Sequence, residues 1–501
     1  MEGSDARPGP TTTAASAPPV DPMRKAFLRG SAWSFAERWG GKVTTLLTFI
    51  VLGNLLRPEE FGLVALALVL ITIVHIFTDL GASAYIVQQP VLTRRTQDTA
   101  FWATIALGVL LYALLWLFAP VLQHSLNSPG LSRVLRVFGL VLIISPFAAI
   151  QTALLTRELR FSSLTTRTIV STAVAAVVAL SLAFSGQGVW ALVGQQLTAN
   201  LVSVAVLWRA SSWRPGRDVD GAELRKIFTY GSAIAGTTLL DQVGTLAPSF
   251  LIGSLLGPRT LGFFSVGSRL PLTFIELFAN VLSSVALPVF AQLKTDRVRL
   301  AAAYRRSVVT GSAVTTLMLM LLAALAPLLI PLLFGAGWER AVTVAQLGSS
   351  AAVFTTARCF DRNLRLALGG QRVDLVVSLI GCTAMVLVLL AAGPHGLVPL
   401  LLGQLSVEGF RWALSLFACH RMVGGGGGRL ALQVGTNFTL GLAAAGMAHL
   451  ALGLTGNDWV NVLLAGTAGV LTWGALAAIA APAVRRELVG MARSIGGRVI
   501  G

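Results

Sequence analysis

The chain has 501 residues, of which 55% are hydrophobic and only 12% charged. Soluble domains carry about 25% charged residues, so this composition excludes an ordinary water-facing surface, and the mean hydropathy of +0.76 agrees. The net charge of +17 does not point to a nucleic-acid partner, because no segment between apolar stretches is long enough to fold a basic face.

Apolar stretches of about 20 residues recur from Ser31 to Ala480, each sufficient to cross a ~30 Å hydrocarbon core as a helix. Residues 1–22 read as a disordered cytoplasmic tail rich in Pro, Thr and Ala, without the short apolar core and cleavage site of a secretory signal. Fourteen spans follow, near 31–53, 61–86, 99–122, 134–155, 167–185, 189–208, 231–255, 261–290, 308–334, 341–368, 373–393, 396–420, 431–455 and 459–481. Turn signals separate them, among them Arg57-Pro58, Gly186-Gln187-Gly188, Gly257-Pro258, Gly369-Gly370 and Pro394-His395-Gly396. With the N-terminus in the cytoplasm, tails and inward loops hold 26 of the 38 basic residues, outward loops five and spans seven. That asymmetry predicts cytoplasmic N- and C-termini.

The chain repeats itself at a shift of about 200 residues. Gly30-Ser31-Ala32 returns as Gly231-Ser232-Ala233, and Leu52-Gly53-Asn54-Leu55-Leu56-Arg57-Pro58 with Gly62 returns as Ile252-Gly253-Ser254-Leu255-Leu256-Gly257-Pro258 with Gly262. His75 and Asp79 meet Glu276 and Asn280, and Gly188, Gln196 and Leu197 answer Gly396, Gln404 and Leu405. The expected fold class is an all-α polytopic membrane protein of about 14 transmembrane helices, with two six-helix lobes in a parallel repeat plus two C-terminal helices. The expected divisions are a first lobe at 23–208, an inter-lobe loop at 209–230, a second lobe at 231–422, the extra helices at 423–482 and a cytoplasmic tail at 483–501. Two such halves are a transporter layout that supports alternating access.

The runs Leu55-Leu56-Arg57-Pro58-Glu59-Glu60-Phe61-Gly62, Asp79-Leu80-Gly81, Arg157-Glu158-Leu159-Arg160-Phe161 and Gly188-Val189-Trp190-Ala191-Leu192-Val193 together resemble the bacterial polysaccharide exporter family. That family contains flippases for lipid-linked oligosaccharides. Its superfamily also holds multidrug and toxin extruders and lipid II flippases. The resemblance covers roughly residues 24–420. It implies a V-shaped, two-lobed bundle in the bacterial cell membrane that moves a polyprenyl-diphosphate-linked sugar unit to the outer leaflet. A polysaccharide polymerase or glycosyltransferases are the implied protein partners.

An ionisable residue inside a span costs at least ~2.5 kcal/mol and normally faces a partner or a wet cavity. Ser31, Ser34, Arg38, Lys42 and Thr45 share one helix face, and Ser265, Arg269, Thr273, Glu276 and Asn280 share another. Arg358, Arg362 and Arg365 step along a third helix, where Asp361 is placed to pair with Arg358 or Arg365. Arg38, Lys42, Arg269, Arg358 and Arg362 are candidate contacts to a diphosphate, which arginine binds through its planar fork. The resemblance to lipid II flippases supports basic residues at Arg38 and Arg269. The competing reading pairs these charges internally, as Glu37 with Arg38 or Glu408 with Arg411.

No phosphate-binding Gly-x-x-x-x-Gly-Lys-Ser/Thr loop is present, and the five glycines at 424–428 lack its Lys. No cofactor is therefore expected, and coupling falls to an ion gradient, of H+ or Na+, or to the membrane potential, with Asp79, Asp241, Glu276 and Glu408 as candidate carboxylates. No metal-ligand spacing joins Cys359, Cys382 and Cys419, which read as core residues. Three alternatives remain: a multidrug exporter of the same superfamily, a membrane glycan polymerase or ligase, and an inactive scaffold.

Overall fold

The computed structural model describes residues 41–79, 81–89, 91–424, 427–453 and 457–480, except for the side chains at 233–234, 237, 241, 279–285 and 480. Among these residues all regular structure is helical. The tails, the first part of span one and Arg38 lie outside the described residues.

The first helix described, α1, covers Gly41–Leu55. It leads into α2, Pro58–Asp79, whose proline occupies the first helical position, where no N–H is needed. Glu60 reaches back to accept the Arg57 N–H at 2.8 Å and closes the turn. The expected second span breaks at Gly81, whose φ of 68° is easy only without a Cβ. Helix α3, Ala82–Gln88, restarts there. Asp79 caps the restart by accepting the Ser83 hydroxyl at 2.6 Å and its N–H at 3.3 Å.

Helix α4 covers Arg94–Ser125, with Thr93 as its N-cap. The expected fourth span is three pieces, α5 (Leu131–Phe138), α6 (Val141–Ile144) and α7 (Pro146–Arg157). Gly139 and Pro146 mark its breaks, and a hydropathy pattern does not register them. Helices α8 (Phe161–Phe184) and α9 (Val189–Ala210) complete the first bundle.

The second bundle opens with α10, Gly221–Gly267, capped by the Asp220 carboxylate. The turn expected at Gly257-Pro258 is a kink at Gly257 (φ 83°, ψ 170°) that divides α10 into two limbs. Then come α11 (Arg269–Gln292), α12 (Arg297–Phe334), α13 (Glu339–Ala367), α14 (Gln371–Ala392) and α15 (Leu397–Val423). Helices α16 (Gly427–Leu450) and α17 (Asp458–Ala480) lean on α12. Buried Asn437 of α16 donates to the Val309 carbonyl and the Ser312 hydroxyl at 3.0 and 2.9 Å.

Ten helical segments among the described residues are long and apolar enough to cross a membrane, against the fourteen expected. Helix α13 is not among the ten, because Arg358, Asp361, Arg362 and Arg365 interrupt its apolar character.

The two bundles share one apolar core at the end where Pro58 and Pro258 lie, running from Leu52 and Phe61 to Phe263, Phe334 and Trp338. Trp338 donates its indole N–H to the Gly53 carbonyl at 2.9 Å, and Asn54 donates to the Leu333 carbonyl at 2.6 Å. Arg259 and Glu59 add an exposed ion pair at 3.0 Å across the same junction. At the opposite end of the first bundle, the segment 211–220 is strapped to α4. Arg95 pairs with Asp218 and Asp220, buried Asp98 accepts the Gly216 N–H at 3.0 Å, and Trp102 donates to the Gly216 carbonyl at 2.8 Å.

Candidate substrate cleft and polar cavity

Helices α1 and α11 run past one another in opposite directions, and two contacts define their register. Lys42 forms an ion pair with Glu276, both side chains being half exposed. Two turns further along α1, the Arg269 guanidinium stands 5.0 Å over the Phe49 ring. The described parts of the two polar stripes, Lys42 on α1 and Arg269 with Glu276 on α11, therefore lie on facing sides of the two bundles. Arg269 keeps a buried Nε without a hydrogen-bond acceptor. Hydroxyls along the stripes are satisfied within their own helices, Thr45 by the Gly41 carbonyl and Thr273 by the Arg269 carbonyl. Among the described residues this face therefore carries Lys42 and Arg269 against one carboxylate, Glu276.

The arginines of α13 form a separate cluster. Glu408 of α15 accepts from Arg358 at 2.7 Å, from Arg411 at 2.8 Å and from Thr355 at 3.0 Å. Asp374 of α14 accepts from buried Arg365 at 2.7 and 3.0 Å, and Arg362 lies 3.4 Å from it. Asp361 does not pair with Arg358 or Arg365 as its spacing suggested. It is fully buried and accepts from the Tyr304 hydroxyl at 2.6 Å. The reason is rotational: Asp361 faces α12, whereas Arg365 faces α14 and Ser415 of α15.

Asp79 sits apart from both groups. It lines a cavity of about 690 Å³ among α2, α4, α7, α8, α9 and α10, together with His75, Ser145, Arg167, Asn200 and Gln242. His75 Nε2 meets the Ser145 hydroxyl at 2.8 Å. Asp241 lies in α10, and its side chain is outside the described residues.

Of the nine residues picked from the sequence, the structure thus brings Lys42, Glu276 and Arg269 to one inter-bundle face. Arg358, Arg362 and Glu408 belong to the second bundle, and Asp79 belongs to the first. Asp374, Tyr304 and Arg167 were missed. Arg167 stands at the first residue of the expected span 167–185, whereas α8 begins at Phe161 and places it six residues inside the helix.

No cluster of His, Cys, Asp or Glu among the described residues is arranged to hold a metal ion. Helices of spanning length, two facing bundles and ionic groups between them define a multi-pass membrane transporter. Residues 51–343 match the family described as polysaccharide biosynthesis protein, more than half of the chain, and the chain belongs to that family. It is 26% identical over 337 residues to the succinoglycan biosynthesis transport protein ExoT of Rhizobium meliloti (strain 1021), covering 67% of this chain and 68% of that one. It is 20% identical over 331 residues to the lipopolysaccharide biosynthesis protein WzxC of Escherichia coli (strain K12), covering 65% and 66%. Among solved structures, the lipid II flippase MurJ in an inward closed conformation superposes with a TM-score of 0.72 at 13% identity, over 90% of this chain and 99% of that one. An inward-facing multidrug resistance MATE family transporter of the MOP superfamily superposes with a TM-score of 0.58 at 15% identity, over 78% and 95%. These likenesses establish the shared fold.

Proposed function

We propose that the protein is a flippase that carries a polyprenyl-diphosphate-linked oligosaccharide from the cytoplasmic to the outer leaflet for cell-surface polysaccharide synthesis. The observation that carries this reading is the cationic face between the bundles. Lys42 bridges to Glu276 across the inter-bundle space, and Arg269, two turns away on the same face of α11, has an unmet buried donor. A diphosphate entering there replaces Glu276 as the partner of Lys42 and gives Arg269 its missing acceptor. The names of the relatives, a succinoglycan transport protein and a lipopolysaccharide biosynthesis protein, support the same substrate class.

In this reading Arg38 joins Lys42 and Arg269 at the diphosphate. Arg358 and Arg362 contribute positive charge from the second bundle, and the polyprenyl tail stays in lipid. Transport proceeds by alternating access in the bacterial cell membrane with both termini in the cytoplasm, coupled to H+ or Na+. Asp79, Asp241, Glu276 and Glu408 are the candidate coupling carboxylates. Release of Glu276 from Lys42 on substrate entry is a direct way to link occupancy to ion binding. The flipped unit passes to a polysaccharide polymerase or glycosyltransferases.

The test is depletion of the protein, with polyprenyl-diphosphate glycans profiled by mass spectrometry and their leaflet probed. Accumulation of a completed unit on the cytoplasmic side is expected. Unchanged glycans with altered drug efflux would establish the multidrug alternative instead, and accessible units building up outside would indicate a polymerase or ligase.

A further inference from the structure

We infer that Phe49 is a positioning residue that ties Arg269 to the junction between the bundles, so that a diphosphate bound at Arg269 loosens the closure of that junction. This rests on the flippase reading and deepens it by naming the residue through which the headgroup acts on the closed end. The order of layers along α1 carries the argument. Lys42 meets Glu276, Phe49 lies two turns further on under Arg269, and Gly53 one turn beyond accepts from Trp338. At 1.5 Å per residue these steps are about 10 Å and 6 Å. Phe49, partly buried, is therefore the layer between the cationic face and the sealed end.

Different elements engage this ring. The Arg269 guanidinium of α11 stands over its face at 5.0 Å. Phe61 of α2 and Phe334 of α12 meet it edge to face, with centroids 5.2 and 6.0 Å away and interplanar angles of 69° and 84°. Both are almost wholly buried, and both continue the packing to Trp338. Phe334 also lies so close to Gly53 that a Cβ there has no room. One ring thus touches both bundles, and direct contacts run without a gap from Arg269 to the closed junction.

A cation over an aromatic face is held by its charge, whereas a phosphate is bound by the N–H donors at the guanidinium's edge. The two partners address different parts of Arg269, so a diphosphate need not evict the ring to bind. It does offset the charge that the ring sees, and it draws the guanidinium toward its own oxygens. The contact with Phe49 weakens, and Phe49 is freed to leave Phe61 and Phe334. In the empty site the same contact works the other way: Phe49 restrains the guanidinium, and Arg269 restrains Phe49 in the junction. Headgroup binding and closure then oppose each other, and linkage requires the opposition to be equal in both directions.

The test uses the full-length protein in nanodiscs, farnesyl diphosphate as the probe, and Glu59→Cys/Arg259→Cys as the reporter of closure, since that pair spans the junction. In a glutathione redox buffer, saturating farnesyl diphosphate is expected to shift the disulfide equilibrium toward the reduced form about fivefold, the low end for coupled sites. The cross-linked protein is correspondingly expected to bind the probe about fivefold more weakly than the reduced protein. Phe49→Leu keeps apolar bulk but removes the aromatic face. It is expected to erase both differences while the reduced protein still binds the probe. Phe49→Tyr keeps the ring and keeps both differences. A ring that served packing alone would change cross-linking equally with and without the probe.

One disulfide equilibrium with and without bound probe, in the protein that retains Phe49, overturns the inference while the flippase reading stands. Undiminished differences in Phe49→Leu also overturn it, because the coupling then runs by another route. Failure of farnesyl diphosphate to bind the reduced protein overturns the flippase reading itself.

Discussion

Gly62 packs so closely on the Pro258 carbonyl that a Cβ on Gly62 would lie 1.6 Å from that oxygen, and Gly262 meets the Pro58 carbonyl in the same way, at 1.8 Å. The two contacts are related by the internal repeat, so one local design closes the junction from both bundles. Close approach of backbones through glycine is a recurrent packing device between membrane helices. Beside it, Phe61, Phe263 and Phe334 pack around Trp338 with ring centroids 5.5, 6.0 and 6.4 Å away.

This junction predicts a conformational phenotype. Gly62→Leu or Gly262→Leu forces the two backbones apart, because the obstructing atom is a carbonyl and not a flexible side chain. In a Glu59→Cys/Arg259→Cys background, oxidation is expected to cross-link the bundles, and either leucine variant is expected to abolish the cross-link and export at normal membrane abundance. Undiminished cross-linking would show that the approach is not needed for closure.

The charge between α1 and α11 predicts a difference between partners. Lys42→Ala and Arg269→Ala are expected to lower farnesyl diphosphate affinity in nanodiscs by about 10- to 100-fold each, the range for losing a charged hydrogen bond. Glu276→Gln is expected to keep or raise that affinity, since it removes the competitor for Lys42. Equal losses from all three variants would mean that the pair only joins the bundles.

Arg365 and Asp374 predict a stability effect. Both are largely buried, 4% and 11% exposed, and lie 2.7 Å apart. Arg365→Ala leaves the carboxylate without its main partner, a loss of about 3–5 kcal/mol for a buried pair. Arg365→Leu/Asp374→Leu is expected to be much milder. Thermal unfolding of the purified variants in detergent separates the two, and equal melting temperatures would refute the pairing argument.

Coupling predicts dependence on the membrane gradient. Collapse of the ion gradients and the potential is expected to stop net translocation in proteoliposomes while substrate still binds. Translocation at the original rate would refute ion coupling.

The sequence revealed much of the fold, because apolar length and turn chemistry are local signals. Spacing of three and four placed Lys42 with Thr45 and Arg269 with Glu276, and the structure faces those stripes together. The repeat was legible too, down to Gly62 and Gly262, although their mutual contact was not. Partners 57 residues apart, such as Tyr304 and Asp361, depend on how helices are rotated in the bundle, which no local pattern records. Arg167 was missed because a charge near the end of an apolar stretch reads equally well as loop. The breaks at Gly81 and Pro146 escaped because hydropathy averages over them.

The strap of residues 211–220 on α4 has a mechanical meaning. The covalent link from one bundle to the next is tied to α4 from Gly216 to Asp220, which leaves it little slack there. Any rocking must be absorbed after Asp220, along the long first limb of α10 between its cap and Gly257. That limb also contributes Thr238 and Gln242 to the cavity wall. Bending it reshapes the wall, so whatever fills the cavity resists or favours the stroke. On the flippase reading, cargo reaching that cavity would act on the lever itself, and an empty transporter and a loaded one are expected to differ in stiffness as well as in charge.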